Sequence, residues 1–239
     1  MKHRLAINPV AHYPRPDATA SRKRILSDAE LVMIWNAAGE MRKPLATFFR
    51  LLILTGQRRI EVAKMQWTEL DRDREEWTVP GERAKNGNYH LVPLSAQALA
   101  LIDDLAGGDE WPRQGPVLTL DGERSLGGFS KARRELDEKI DKALAEKPDA
   151  SAFEQHWVIH DLRRTMATGL QRMGIRFEVT EAVLNHTGRS KGGIAGVYQL
   201  YEWRDEKREA LVRWGREIQG IVSPQGGAKV IDLQWRAER

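Results

Sequence analysis

The segment from Pro44 to Leu54 constrains this chain most, because drawn as a helix it is apolar around nearly its whole circumference. Leu45, Phe48, Phe49, Leu51, Leu52, Ile53 and Leu54 leave no polar stripe to face water, so such a helix sits at the centre of a core and is covered by other elements. Gly56 interrupts it, and another short helix is expected over Arg58 to Met65. A chain of 239 residues can supply that cover within one or two domains.

Around this helix the periodicity is mostly helical. Ser27-Asp-Ala-Glu30 is a capping box, followed by Leu31, Ile34, Trp35 and Ala38 at helical spacing. Ser95 caps a helix to about Ala106, Ser130 to Lys147 is charged and amphipathic, and Leu162, Met166, Leu170 and Met173 form an apolar stripe that Gly174 can end. Phe177 to Leu184 reads as a short helix, Thr187 to Gly193 as a glycine-bearing loop, and Ile194 to Ile218 as one or two helices. Two extended runs, residues 77–80 and 91–94, flank a polar segment containing Asn86-Gly87, a strong hairpin signal. The class is mainly α with a small antiparallel sheet. Residues 1–24, with prolines at 9, 14 and 16, read as a linker or extended arm.

Composition narrows the function classes. With no cysteine there are no disulfides, thiolate metal sites or cysteine nucleophile. No apolar run approaches the roughly 18 to 20 residues that cross a bilayer, and no signal peptide opens the sequence, so a cytosolic protein without a membrane partner is expected. The net charge of +4, from 38 basic against 34 acidic residues, only hints at an acidic partner. The clusters at residues 22–24, 58–59, 83–85, 133–134, 163–164 and 189–191 together suit a polyanion, although each alone reads as a solvated face.

Four segments carry residue types suited to phosphate chemistry. In Leu-Thr-Gly-Gln-Arg-Arg-Ile-Glu, residues 54–61, the glycine lets Arg58 leave the core at a new helix start, and Glu61 can hold it one turn on. Taken alone, the segment is better read as a surface Arg–Glu pair. Lys85 precedes the Asn-Gly turn and can reach into a cleft or protect a sheet edge. In His-Asp-Leu-Arg-Arg-Thr, residues 160–165, His160 and Arg163 are expected side by side at a helix start, an anion site with a proton acceptor beside it, or else a helix cap with charged surface residues. Finally, Leu184-Asn185-His186 is followed by a loop with Arg189 and Lys191 and then by Tyr198.

The order of these residues, Arg58, Lys85, His160-x-x-Arg163, His186 and Tyr198, resembles the tyrosine recombinase (phage integrase) family. The matching text is Leu-Thr-Gly-x-Arg-x-x-Glu, a lysine hairpin ending in Val-Pro-Leu, His-x-Leu-Arg, Leu-x-His and a tyrosine shortly after, with Trp67 also in place. Residues 197–211, Val-Tyr-Gln-Leu-Tyr-Glu-Trp onward, look like the end of integrases of satellite phages and genomic islands.

The resemblance implies an α+β, mainly helical catalytic domain over residues 25–219 with a small three-stranded antiparallel sheet. A tail over 220–239, which can form a short strand, would dock on a neighbouring subunit. Tyr198 would attack a DNA phosphodiester, with Tyr201 as the rival nucleophile that the family ending disfavours. Arg58 and Arg163 would hold the phosphate, Glu61 would support Arg58, and Lys85 would protonate the leaving 5′ oxygen. His160 would assist deprotonation of the tyrosine, and His186 would donate to the phosphate. Arg59, Arg164, Arg189 and Lys191 would contact the DNA backbone or nothing.

No metal or other cofactor is implied. The partners would be double-stranded attachment-site DNA, three further copies in a homotetramer, and accessory DNA-bending factors, for a bacterial, nucleoid-associated enzyme that integrates or excises a mobile element. Full-length members carry a helical domain before this one, so the first residues would be its linker, and DNA binding without that domain would be weak and salt-sensitive. A type IB topoisomerase and a non-cutting DNA-binding protein on the same scaffold remain rivals. A histidine metal site is set aside, because His160 and His186 lack close ligand spacing.

Overall fold

The computed structural model describes residues 23–108, 110–146, 153, 155–186 and 203–223. Tyr198, Tyr201, Arg189, Lys191, most of the expected arm and most of the expected tail lie outside them. The central helix, α2 (Lys43–Thr55), is buried through residues 45–49 and 51–55. Arg50 escapes to the surface, where its guanidinium donates to Trp35 O at 3.2 Å and lies 4.8 Å from the Trp35 ring centre.

Before α2 comes α1 (Asp28–Gly39), opened by the expected capping box: Ser27 Oγ accepts from Glu30 N at 3.3 Å, and Glu30 Oε2 from Ser27 N at 2.8 Å. Next comes α3 (Arg59–Ala63) and then a sheet of β1 (Leu70–Asp71), β2 (Glu76–Val79) and β3 (His90–Pro93), antiparallel in the order β1-β2-β3. Trp77 pairs with Val92 and Val79 with His90, so alternate side chains of both longer strands enter the core. Residues 80–89 join β2 to β3, so the hairpin is wider than a two-residue turn. Gly87 does turn there, at φ 75°.

The other helices are α4 (Ala96–Ala106), α5 (Phe129–Glu146), α6 (Ile159–Arg172), α7 (Phe177–Val183) and α8 (Arg204–Val222). The α6 stripe Leu162, Met166 and Leu170 is buried, and Gly174 follows at φ 76°. The last helix continues past the boundary expected at residue 219. None of the described helices is long and apolar enough to cross a membrane.

Two devices fix the positions of these helices. Gly56 closes α2 at φ 61°, and a Cβ there would lie 2.1 Å from Met166 Sδ, so α6 crosses close to the end of α2. At its start α8 is tied to the sheet by Arg204, which donates to both oxygens of buried Glu76 at 2.7 and 2.8 Å. Farther along, Trp214 lies across α2 and α6, with its indole N–H donating to Ile53 O at 2.8 Å.

Gly169 on α6 accommodates that indole, since a Cβ there would meet two of its ring atoms at 2.2 and 2.7 Å. The ring is buried and pinned by its hydrogen bond, so it has little room to retreat. Gly169→Ala is therefore expected to overpack the core and cost about 1–3 kcal/mol, read as a lower urea midpoint at unchanged slope. An unchanged midpoint would mean that the indole moves freely.

Candidate active site

Arg58, Lys85, His160 and Arg163, from three of the four sequence segments, line one cleft, and Asn185 of the fourth has its carbonyl 3.5 Å from an Arg58 nitrogen. Beyond residue 186 the fourth segment lies outside the described residues, which resume at Trp203. Arg58 sits between α2 and α3, half-buried, and Glu61 grips it twice. One Glu61 carboxylate oxygen accepts from the Arg58 backbone N–H at 3.0 Å and the other from its guanidinium at 2.9 Å. A glutamate at the third helical position is placed for the first bond by helix geometry, and the second uses the carboxylate's remaining oxygen.

The start of α6 is fixed in a similar way. Asp161 is fully buried; one oxygen accepts from Val158 N at 2.8 Å and the other pairs with Arg164 at 2.7 Å. Thr165 accepts from Leu26 N at 2.9 Å and donates to Asp161 O at 2.8 Å, tying the helix to the segment just before α1. Within this motif His160 is the exposed member.

Arg163 departs from the expected arrangement. It lines the same cleft as His160, but it is buried and turned inward, donating to Gly56 O at 2.7 Å and to Leu184 O. The reason is the neighbouring chain. The carbonyls ending α2 and α7 lack helical partners there, and a guanidinium with five N–H groups can serve both and still present others. Burial, and then the nearby Arg58 charge, lower the Arg163 pKa to about 10, which leaves it cationic at neutral pH.

The end of α7 gathers several other groups. Val183 O accepts from the Gln57 side chain at 2.9 Å and lies 3.1 Å from His90 Nε2, while Asn185 O lies 3.5 Å from an Arg58 nitrogen. Asn185 itself has φ 49°, in the left-handed region that ends helices. His186 follows, exposed, with Nδ1 2.9 Å from Glu181 Oε1.

These elements border a cleft of about 930 Å³ lined by Arg58, Lys85, His160 and Arg163. His186 is not part of the lining. The same cleft holds Arg59, Arg83, Arg133 and Arg134 against two acidic residues, Glu61 and Asp137, so its field favours an anion. Its far wall is aromatic: Arg133 stacks 3.8 Å above the Trp157 ring centre, and Arg59 lies 5.2 Å from that of Phe129. Arg59 thus reaches the cleft, whereas Arg164 is engaged with Asp161. No group of three or more histidines and carboxylates is placed to hold a metal among the described residues.

The sequence model of the phage integrase family matches residues 24–192. This chain belongs to the phage integrase family. Two relatives from Escherichia coli K12 are similar to it. Prophage integrase IntA is 25% identical over 178 residues, 73% of this chain and 39% of IntA, and prophage integrase IntZ is 26% identical over 183 residues, 75% of this chain and 41% of IntZ. The chain therefore spans about two fifths of the length of either relative.

Solved structures show the same fold. The integrase of mycobacterium phage Brujita superposes with a TM-score of 0.57 at 16% identity, over 91% of this chain and 69% of that one. A lambda integrase fragment in a dimer bound to a core site gives 0.55 at 19%, over 75% and 63%. The integrase-family fold is thus mainly helical here, with a three-stranded antiparallel sheet.

Sequence reasoning missed several cleft residues. Phe129 and Trp157 carry no local pattern that marks them, and Gln57 stands inside the Leu-Thr-Gly-x-Arg motif only as its unassigned position. Arg133 and Arg134 were visible only as a basic pair on an amphipathic helix. His160 is held below its ordinary pKa by burial of part of its ring and by the charges of Arg164 and Arg163. Its imidazole is therefore neutral at physiological pH and loses that form only as pH falls through the lowered value. In an NMR titration its midpoint is expected below 6.5, and Arg164→Ala should raise it. A midpoint at or above 6.5 would contradict this electrostatic setting.

Proposed function

We propose that this chain carries the catalytic domain of a site-specific DNA recombinase that cleaves and rejoins DNA through a 3′-phosphotyrosyl link, integrating or excising a mobile element. The observation that carries the reading is the pair Arg58 and Arg163, far apart in sequence, held by the end of α7 in one basic cleft with His160 and Lys85. Membership of the integrase family supplies the reaction class. Double-stranded DNA of the attachment site is the partner. The tetramer expected on it accords with a lambda integrase solved as a tetramer on a Holliday junction.

In this mechanism the two guanidinium groups neutralise the non-bridging oxygens as charge builds on phosphorus. Tyr198 attacks, with Tyr201 as the alternative. A phenol of pKa near 10 needs a proton acceptor at neutral pH, and neutral His160 serves. Lys85 protonates the departing 5′ oxygen, and His186 donates to the phosphate. The phosphotyrosyl bond conserves the energy of the broken phosphodiester, so a 5′ hydroxyl from another strand can reverse the step. Arg59, Arg189 and Lys191 contact the DNA backbone, Arg164 holds Asp161, and the residues after 219 dock on a neighbouring subunit.

The test is covalent trapping on a nicked oligonucleotide from the element's own attachment site. A denaturant-stable protein–DNA band is expected, absent in Tyr198→Phe and retained in Tyr201→Phe, with Arg58→Ala and Arg163→Ala slower by about 10²-fold or more. Loss of the band in Tyr201→Phe alone would reassign the nucleophile. No band on DNA that demonstrably binds would point to a non-cutting DNA-binding protein.

A further inference from the structure

We infer that Asn86 and Asn185 form an amide latch that positions Lys85 for the leaving-group step. The inference rests on the recombinase reading above and adds two positioning residues to it. Lys85 lies exposed in the ten-residue connection 80–89, an irregular segment carrying a long side chain with much freedom to lose. Two contacts anchor the chain on either side of it. Before it, Arg83 pairs with Glu69 and donates to Glu61 O at 3.3 Å. After it, Asn86 Nδ2 donates to Asn185 Oδ1 at 2.7 Å, and Asn185 Nδ2 returns a bond to Asn86 Oδ1 at 3.4 Å.

Both halves of this pair are themselves held. Asn86 Oδ1 also accepts from Asn88 N at 3.2 Å, which fixes the side chain within its own turn. Asn185 stands at φ 49° just after α7, where its N–H bonds Ala182 O at 3.2 Å and the next N–H, of His186, bonds Glu181 O at 3.0 Å. Its carbonyl lies 3.5 Å from Arg58, so one residue touches the lysine loop, the first arginine and, through the chain, His186. The latch is neutral, so it acts on where Lys85 stands rather than on the charge of the site.

In the cleavage step the Tyr198 hydroxyl gives its proton to His160, its oxygen bonds to phosphorus, the P–O5′ bond breaks, and the Lys85 ammonium gives its proton to the leaving oxygen. With sulfur in place of the bridging 5′ oxygen the leaving group departs as a thiolate and needs no proton. A fault confined to Lys85 placement therefore disappears on sulfur-substituted DNA, whereas a fault in phosphate binding or folding persists.

The experiment measures covalent-complex formation by the full chain on matched oligonucleotides with 5′-bridging oxygen or sulfur at the cut. Asn86→Ala and Asn185→Gly are the variants. Glycine suits the positive φ, so the second removes the amide without straining the backbone. Each is expected to be slower by about 10- to 100-fold on the oxygen substrate, with the double variant little worse than either. On the sulfur substrate all three, like Lys85→Ala, should return near the unsubstituted rate, while Arg58→Ala should not. No loss on the oxygen substrate, or an equal loss on both, overturns the latch while the recombinase reading stands. A Lys85→Ala variant that sulfur fails to rescue overturns it too, by removing the proton-donor role. If the unsubstituted chain cuts neither substrate on DNA it binds, the recombinase reading and the latch fall together.

Discussion

The carbonyl groups that end α7 organise this site. A helix terminus leaves its last carbonyls without partners, and buried carbonyls left in that state are costly. Here Val183, Leu184 and Asn185 receive Gln57, Arg163 and Arg58, from two other parts of the chain. Satisfying the helix end and bringing Arg58 and Arg163 together in the basic cleft are therefore one structural event. If α7 were displaced, Arg163 would lose an acceptor while buried, a cost of about 1–3 kcal/mol.

The same contacts explain how two guanidinium groups coexist. The Arg58 charge lowers the Arg163 pKa, a sign that the two repel. The Glu61 carboxylate at 2.9 Å from Arg58 and the α7 carbonyls offset that repulsion. An incoming phosphodiester would offset it further, because its negative charge is shared by two non-bridging oxygens that can each accept from a guanidinium. The cleft is thus preorganised for an anion, with little rearrangement needed as charge develops in a reaction.

Much of this was legible in the sequence because it depends on local rules. The capping box at Ser27, the all-round apolar α2 and the Gly56 break are encoded within a few residues each, and all three stand in the structure. Glu61 reaching Arg58 follows from its position three residues on. The inward turn of Arg163 was not legible, since its acceptors Gly56 O and Leu184 O belong to distant segments. Nor was the Asn86–Asn185 pair, which spans 99 residues and follows no spacing rule. The aromatic wall of Phe129 and Trp157 was hidden for a related reason, as a buried ring reads the same whether it backs a core or a cleft.

The most direct test is a crystal structure of the Tyr198→Phe chain on uncut attachment-site DNA. The scissile phosphate should place its non-bridging oxygens within about 2.7–3.1 Å of both the Arg58 and Arg163 guanidinium groups, with the bond from Arg163 to Leu184 O intact. A phosphate bound elsewhere on the surface, with both arginines still turned to the end of α7, would show that their arrangement serves the fold and not the chemistry.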